Sequence, residues 1–331
     1  MLSKAASRTT SISFPPSDWS ILKIERYCRN GITVQAEDTG LKCTMTRRVR
    51  VVTDSSVHFP DTDFLQKHDV VVVPLTIHLG DEEYLEGDIT TGELFTRVAE
   101  GAPLPTVSPP SVEKLARVYQ DLTRASDEIL SIHLSGKLSQ TWQNAQAASQ
   151  KLVGHCTVVP IDSLTTSAGL GLLVQVAVEA AEAGESIDEI VRIVRGMIPR
   201  VYIVFFTEVL DYLENAGRIG KAQAVLGNML GVKPFLIFED GDLLPMEKVR
   251  TRPQAMEKLW EFICEFSRLE YLAILQQDGQ PGEDARLLLE RLAVEFPECR
   301  CEVISYGPSL ATFVGPHSFG LAVLEGEIEP T

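Results

Sequence analysis

From residue 49 onward the chain switches repeatedly between two hydrophobic patterns. Short apolar runs at 49–52, 128–133 and 157–161 predict strands, and the near-continuous run at 70–77 predicts one strand buried on both faces. Between them, apolar residues recur at helical spacing over 92–99, 111–123, 139–151 and 166–183. This strand-then-helix rhythm predicts a mainly parallel sheet with helices on both faces. Ligands of such sheets sit beyond the carboxyl ends of the strands. The small hydroxyl residues fall in those loops, at 53–56, 106–111, 135–141 and 162–167.

A helix over 186–197, ended by Pro199, precedes a second α/β unit that opens with a strand at 201–206. Helical spacing then stops at Gly217-Arg218-Ile219, and a further helical run spans 222–230 up to Gly231. A strand at 234–238, a turn at Gly241-Asp242 and a strand ending at Val249 follow. With no obvious base or nucleophile, this segment reads as a platform presenting Arg218 and Arg250. The remaining elements are helices at 253–266 and 283–295 and strands at 271–275, 299–306 and 321–324, with Thr312 to Pro316 as a connection. Residues 1–46 are polar, lack a sustained period and carry Lys4 and Arg8 without an acid before Phe14, so they read as a flexible or mis-started leader with Met45 as the functional start. The predicted division is a leader at 1–46, an N-terminal α/β domain at 47–198 and a C-terminal α/β domain at 199–331, with a ligand cleft between the two.

A chain of 331 residues and 36.5 kDa exceeds the usual size of a single core, which agrees with two domains. No apolar run approaches the roughly 18 residues of a membrane span. The net charge of −16 argues against nucleic acid as a partner and disfavours standing attachment to anionic membranes. Six scattered cysteines fit reduced thiols in a cytoplasm; Cys299 and Cys301 are close, but no CxxC or histidine partner lies near them. The six histidines have no metal-ligand spacing, and no metal or cofactor is expected.

Catalytic motifs are mostly absent. There is no GxSxG elbow; Gly169-Leu170-Gly171 has Val174 where a dinucleotide loop needs a third glycine; Gly136-Lys137 and Gly220-Lys221 lack Walker A spacing. The acidic cluster from Asp81 to Asp88 reads as a solvated turn. Asp54 and Asp162, each after a strand, read as turn or cap residues, with a small-molecule enzyme built on them as the alternative. What remains is a set of neutral hydroxyls at sheet ends, an arginine on a turn and a large apolar inventory, a combination that suits a carboxylate head with an apolar tail.

Several blocks, in order and spacing, resemble the DegV family of bacterial fatty-acid-binding proteins. They are Thr53-Asp54-Ser55-Ser56, Val73-Pro74-Leu75, Asp88-Ile89, Leu138-Ser139 with Trp142-Gln143-Asn144-Ala145, Asp162-Ser163, Gly217-Arg218-Ile219, Lys248-Val249-Arg250 and Gly315-Pro316. The resemblance implies two α/β domains holding a long-chain fatty acid between them, performing no chemistry and presenting the acid to an ATP-dependent fatty acid kinase subunit. It also implies a head-group site at Thr106, Val107, Ser108, Ser135, Ser139 and Phe313, and a partner-facing Arg218. Three positions depart from the family pattern. Val107 stands where the family has a carboxylate-binding threonine, with Thr106 able to replace it only if the loop slips. Ser135-Gly136 replaces paired serines, and Phe313 replaces a histidine. Two readings follow: a divergent fatty-acid carrier, or a lipid-binding paralogue that prefers a neutral head or lacks kinase coupling.

Overall fold

The computed structural model describes residues 49–59, 61, 63–218 and 233–327, together with the backbone of three strands before residue 46. Those three, β1 (Ile12–Ser13), β2 (Ile32–Glu37) and β3 (Gly40–Met45), form an antiparallel sheet of their own in the order β1-β3-β2. Then β4 (Arg50–Asp54) leads through the short α1 (Phe64–Lys67) to β5 (Val70–Val73), β6 (Thr76–Leu79), β7 (Glu82–Leu85), α2 (Thr91–Ala99), β8 (Thr106–Ser108) and α3 (Val112–Leu122). The first unit is completed by β9 (Glu128–His133), α4 (Thr141–Gln150), β10 (Thr157–Asp162), α5 (Ser167–Ala183) and α6 (Ile187–Met197). A 3-10 turn around Pro199 opens the second: β11 (Val201–Phe206), α7 (Asp211–Asn215), β12 (Lys233–Glu239), β13 (Asp242–Val249), α8 (Arg252–Cys264), β14 (Leu269–Gln276), α9 (Glu283–Glu295), β15 (Arg300–Ser305), α10 (Pro308–Val314) and β16 (Phe319–Glu325).

Local chemistry sets the element ends. Thr90 and Glu93 form a reciprocal capping box at α2, while Ser111, Ser186 and Thr251 accept the backbone N–H of Lys114, Glu189 and Gln254 in the first turns of α3, α6 and α8. Each such cap is worth about 1 kcal/mol.

The molecule is layered. A four-stranded parallel sheet, β10-β9-β4-β5, carries α3 and α4 on one face, where Val52, Val73 and Ile129 meet Leu115, Tyr119, Ala145 and Ala148. Its other face meets α5 and α6. The far side of that helix layer packs on a six-stranded mixed sheet, β13-β12-β11-β16-β14-β15, whose outer face is covered by α8 and α9. The α5 helix is therefore apolar nearly all round, with Leu170, Leu173, Val174, Ala177 and Val178 buried between two sheets. One core runs without interruption from Val51 and Ile132 of the first sheet to Ile203, Leu275 and Leu324 of the second. A small antiparallel sheet, β7-β6-β8, flanks the junction.

Two expectations need correction. The run at 70–77 is not one strand: Pro74 has no N–H to give to a ladder, the Leu75 N–H goes instead to Ser55 Oγ at 2.9 Å, and β6 joins a different sheet from β5. The connection holding Thr312 and Phe313 is the helix α10, every residue of which is buried. The helical run expected at 222–230 lies outside the described residues.

Candidate ligand-binding site

The carboxyl ends of β4, β9 and β10 bring three loops together, and two carboxylates organise them. Asp54 is wholly buried. Its Oδ1 accepts from the Ser56 N–H (3.1 Å) and Ser56 Oγ (2.6 Å), and its Oδ2 from the Leu134 N–H (2.9 Å), with His133 Nδ1 at 3.0 Å. His133 Nε2 continues to Ser131 Oγ (2.8 Å) and on to the Tyr119 hydroxyl (2.8 Å), whose ionisation burial pushes up to about 12. Asp162 Oδ1 accepts from the Gly136 and Leu164 N–H groups, each at 3.0 Å. Both carboxylates are thus engaged in holding turns, the role their position after a strand suggests.

The loop after β10 is strained. Leu164 and Ser167 lie at φ +53° and +51°, a left-handed conformation that side chains rarely adopt outside constrained sites. Between them Thr165 is buried, and its carbonyl accepts the Ser135 N–H at 2.8 Å. The hydroxyls of Thr53, Thr165 and Ser167 are buried without a hydrogen-bond partner, a condition that costs about 1–3 kcal/mol for each group.

The second unit closes on these loops through the tip of the β12–β13 hairpin. Ser135 Oγ donates to the Gly241 carbonyl at 2.5 Å. Gly241 has φ +81°, and a Cβ on it would lie 2.4 Å from Ser135 Oγ and 3.3 Å from Leu164 Cα, so no larger residue fits. Arg218 adds a clasp, with Nη1 3.1 Å from Asp242 Oδ1 and Nη2 2.5 Å from the Lys137 carbonyl. Its side chain is 21% exposed and its guanidinium lies 6.0 Å from the Phe313 ring. It ties the two units together rather than standing free on its turn, whereas Arg250 is exposed on the far end of β13. Elsewhere on the seam, Asn215 Nδ2 donates to the Pro105 carbonyl (3.1 Å), Thr91 Oγ1 to the Tyr306 carbonyl (2.8 Å), and Phe95 meets Tyr212 edge-on at 5.7 Å.

The interior behind this rim is apolar. Helix α10 packs against β8, α2 and α7, and brings Leu310, Phe313 and Val314 into the same core as Leu134, Leu138, Phe95, Tyr212 and the half-buried Val107. The register of β8 on β6 fixes Val107 opposite Ile77, with Thr106 opposite His78 and Ser108 opposite Thr76. Thr106 is therefore exposed on the other face of the strand, and Ser108 Oγ is held by His78 Nε2 at 2.7 Å. A one-residue slip would turn Ile77's partner out of the core. Of the residues predicted for the head group, Val107 and Phe313 share the apolar interior and Ser135 faces the hairpin tip. Ser139 is half-buried with its Oγ 2.8 Å from Thr141 Oγ1. Thr106 and Ser108 point away.

One reading of the acidic cluster is overturned. Asp81, Glu82, Glu83 and Asp88 are exposed as expected, but Glu86 turns inward across the seam. Its Oε2 accepts from Ser55 Oγ (2.7 Å) and its Oε1 from the Ser309 N–H at the start of α10 (2.8 Å). Burial, opposed by those hydrogen bonds, pushes its carboxyl up to about 7. Nothing in the charge pattern marked it; only the contrast between one acid followed by glycine and its neighbours was available. Among the described residues no group of three or more His, Cys, Asp or Glu is placed to hold a metal, and no helix is long and apolar enough to cross a membrane.

Residues 48–326 match the model of the DegV family, described as "Uncharacterised protein, DegV family". A DegV domain-containing protein of Streptomyces coelicolor is 33% identical over 282 residues, spanning 84% of this chain and 99% of its own. Among solved structures, a DegV-family protein of Thermus thermophilus described for its fatty acid binding superposes with a TM-score of 0.75 at 32% identity, covering 84% of this chain and 100% of its own. DegV of Bacillus subtilis, described as a fatty acid binding protein, gives a TM-score of 0.76 at 28% identity over 85% of this chain and 100% of its own. With the family model matched over residues 48–326, this protein belongs to the DegV family.

Proposed function

We propose that the protein binds a long-chain fatty acid in the apolar interior between its two units, holds the carboxyl end at the loops beyond β4, β9 and β10, and presents it to an ATP-using fatty acid kinase. The observation that carries this reading is an uninterrupted apolar core together with buried, unpartnered hydroxyls at Thr53, Thr165 and Ser167, of which Thr165 also takes the Ser135 N–H on its carbonyl. Burying ~15 methylenes at about 0.8 kcal/mol each supplies on the order of 12 kcal/mol before the entropy of binding is subtracted. Hydroxyl donors to an ionised head add about 1.5–3 kcal/mol each. The protein itself supplies no chemistry in this reading, since Asp54 and Asp162 are taken up by the turns they hold.

The apolar Val107 and Phe313 favour a second reading, a ligand with a neutral head, because an ionised group beside them would lose hydrogen bonds. Calorimetry with palmitate and its methyl ester, on the wild type and on the Val107→Thr, Phe313→His double variant, separates the two. A fatty-acid carrier prefers the acid, and the double variant tightens that preference by about 1–3 kcal/mol. Wild-type preference for the ester assigns the neutral-head reading, and binding of neither removes both.

A further inference from the structure

Glu86 is the one acid of its cluster that crosses the seam, and the helix it reaches is the one that carries Phe313 into the interior. Its surroundings come from two segments, the loop after β4 and the start of α10. Ser55, after β4, donates to Oε2 and uses its own oxygen to accept the Leu75 N–H at 2.9 Å. Ser309 donates its backbone N–H to Oε1 from the first turn of α10. Gly307, just before α10, lies so close that a Cβ there would be 3.1 Å from Glu86 Oε1, 2.5 Å from His58 Cε1 and 2.9 Å from His58 Nε2. A side chain at 307 would push on both the imidazole and the carboxyl, so helix, carboxyl and imidazole converge tightly here.

The titratable groups facing this point are His58 and Asp54, both from the first unit; Gly307 and Ser309 bring no charge. His58 Nδ1 is 3.1 Å from the Ser56 carbonyl, which can only accept, so Nδ1 carries the ring proton and Nε2 is left as an acceptor beside Gly307. Burial pushes the His58 pKa down, so the ring stays neutral and gives Glu86 no counter-charge. Asp54 adds a like charge. A carboxyl in this position is favoured as the acid, whereas the same carboxyl in water ionises in the ordinary range.

We propose that Glu86 is a proton-operated tie between the first unit and α10, closed when protonated and loosened when ionised, which sets how readily the apolar interior releases its ligand. The inference rests on the fatty-acid reading for its consequence but not for its existence. The sign follows from linkage. Docking of α10 is fully favoured below the ordinary carboxyl value, and the advantage is lost as pH rises through about 7, the value in the docked state. Across that window the docking equilibrium shifts by as much as tenfold per pH unit, and above it no further.

The test compares wild type with Glu86→Gln, which keeps the shape of the protonated acid. Without any ligand, the two should melt together at pH 4, below the ordinary carboxyl value, and the variant should melt higher at pH 8. With cis-parinaric acid as probe, wild type should release it at least tenfold faster at pH 8 than at pH 5.5, against less than a threefold change in the variant; the probe's own ionisation is common to both. Should Glu86→Gln not fold, hydrogen exchange of the α10 amides in wild type, corrected for intrinsic rates, should speed up between pH 5.5 and 7 and level off above 7.5. A variant less stable than wild type at pH 8, equal pH responses in both proteins, or flat α10 exchange overturns the tie. If the ligand-free melting behaves as expected but no probe binds, the tie stands and the fatty-acid reading falls.

Discussion

The two walls of the junction are built on different principles. On the first unit, the loops beyond the parallel sheet are fixed largely by bonds within or between neighbouring loops: Asp54 to Ser56 and Leu134, Asp162 to Gly136 and Leu164. On the second unit, the facing elements are held by separate long-range contacts, among them those at the hairpin tip and through Arg218, Glu86, Asn215 and Thr91. A carboxylate accepting several buried N–H and O–H groups cannot be released piecemeal, because every freed donor costs about 1–3 kcal/mol. A seam of isolated contacts can open one contact at a time. The comparison assigns rigidity to the wall that presents hydroxyls and mobility to the wall that covers the apolar interior.

The largest effect should come from the rigid wall. Asp54→Ala removes the acceptor shared by Ser56, Leu134 and His133, and should lower the stability of the whole protein by about 3–5 kcal/mol in urea unfolding. A loss below about 1 kcal/mol would mean that these loops are not pinned as described. On the seam, Gly241→Val adds a side chain to a left-handed residue and drives it into Ser135 and Leu164, so about 2–4 kcal/mol should be lost. Here calorimetry should show the second unit separating from the first before global unfolding; a single transition would argue against an independent seam. Arg218→Ala should cost less, about 1–2 kcal/mol, because the ion pair is partly exposed. Arg218→Lys should recover only part of it, since an ammonium lacks the fork that reaches both Asp242 and the Lys137 carbonyl.

The sequence made the rigid wall far more legible than the mobile one. Strand and helix periods locate β9, β11 and α9 at the positions observed, and the hydroxyl-rich loops at 53–56, 135–141 and 162–167 do converge at the sheet end. These features are local, written in apolar spacing and turn residues. The helix α10 was hidden because Pro308, Ser309, Leu310, Ala311, Thr312, Phe313 and Val314 are all buried, which leaves no polar face and so no period to read. The break between β5 and β6 was masked by an apolar run in which only Pro74 gave notice. Glu86 was read as solvated and Arg218 as presented to a partner for a common reason: a charged residue on a turn reads as outward-facing until the other unit is brought against it.

The measurement that bears most directly on the account is native mass spectrometry of the purified protein, followed by identification of whatever is extracted. The account predicts one long-chain fatty acid per protein molecule, retained in Arg218→Ala and lost or reduced in Gly241→Val, where the covering wall cannot seat. A protein that carries only its own mass, and whose melting temperature does not rise when palmitate or oleate is added, would contradict the claim that the interior between the two units is built to hold such a chain.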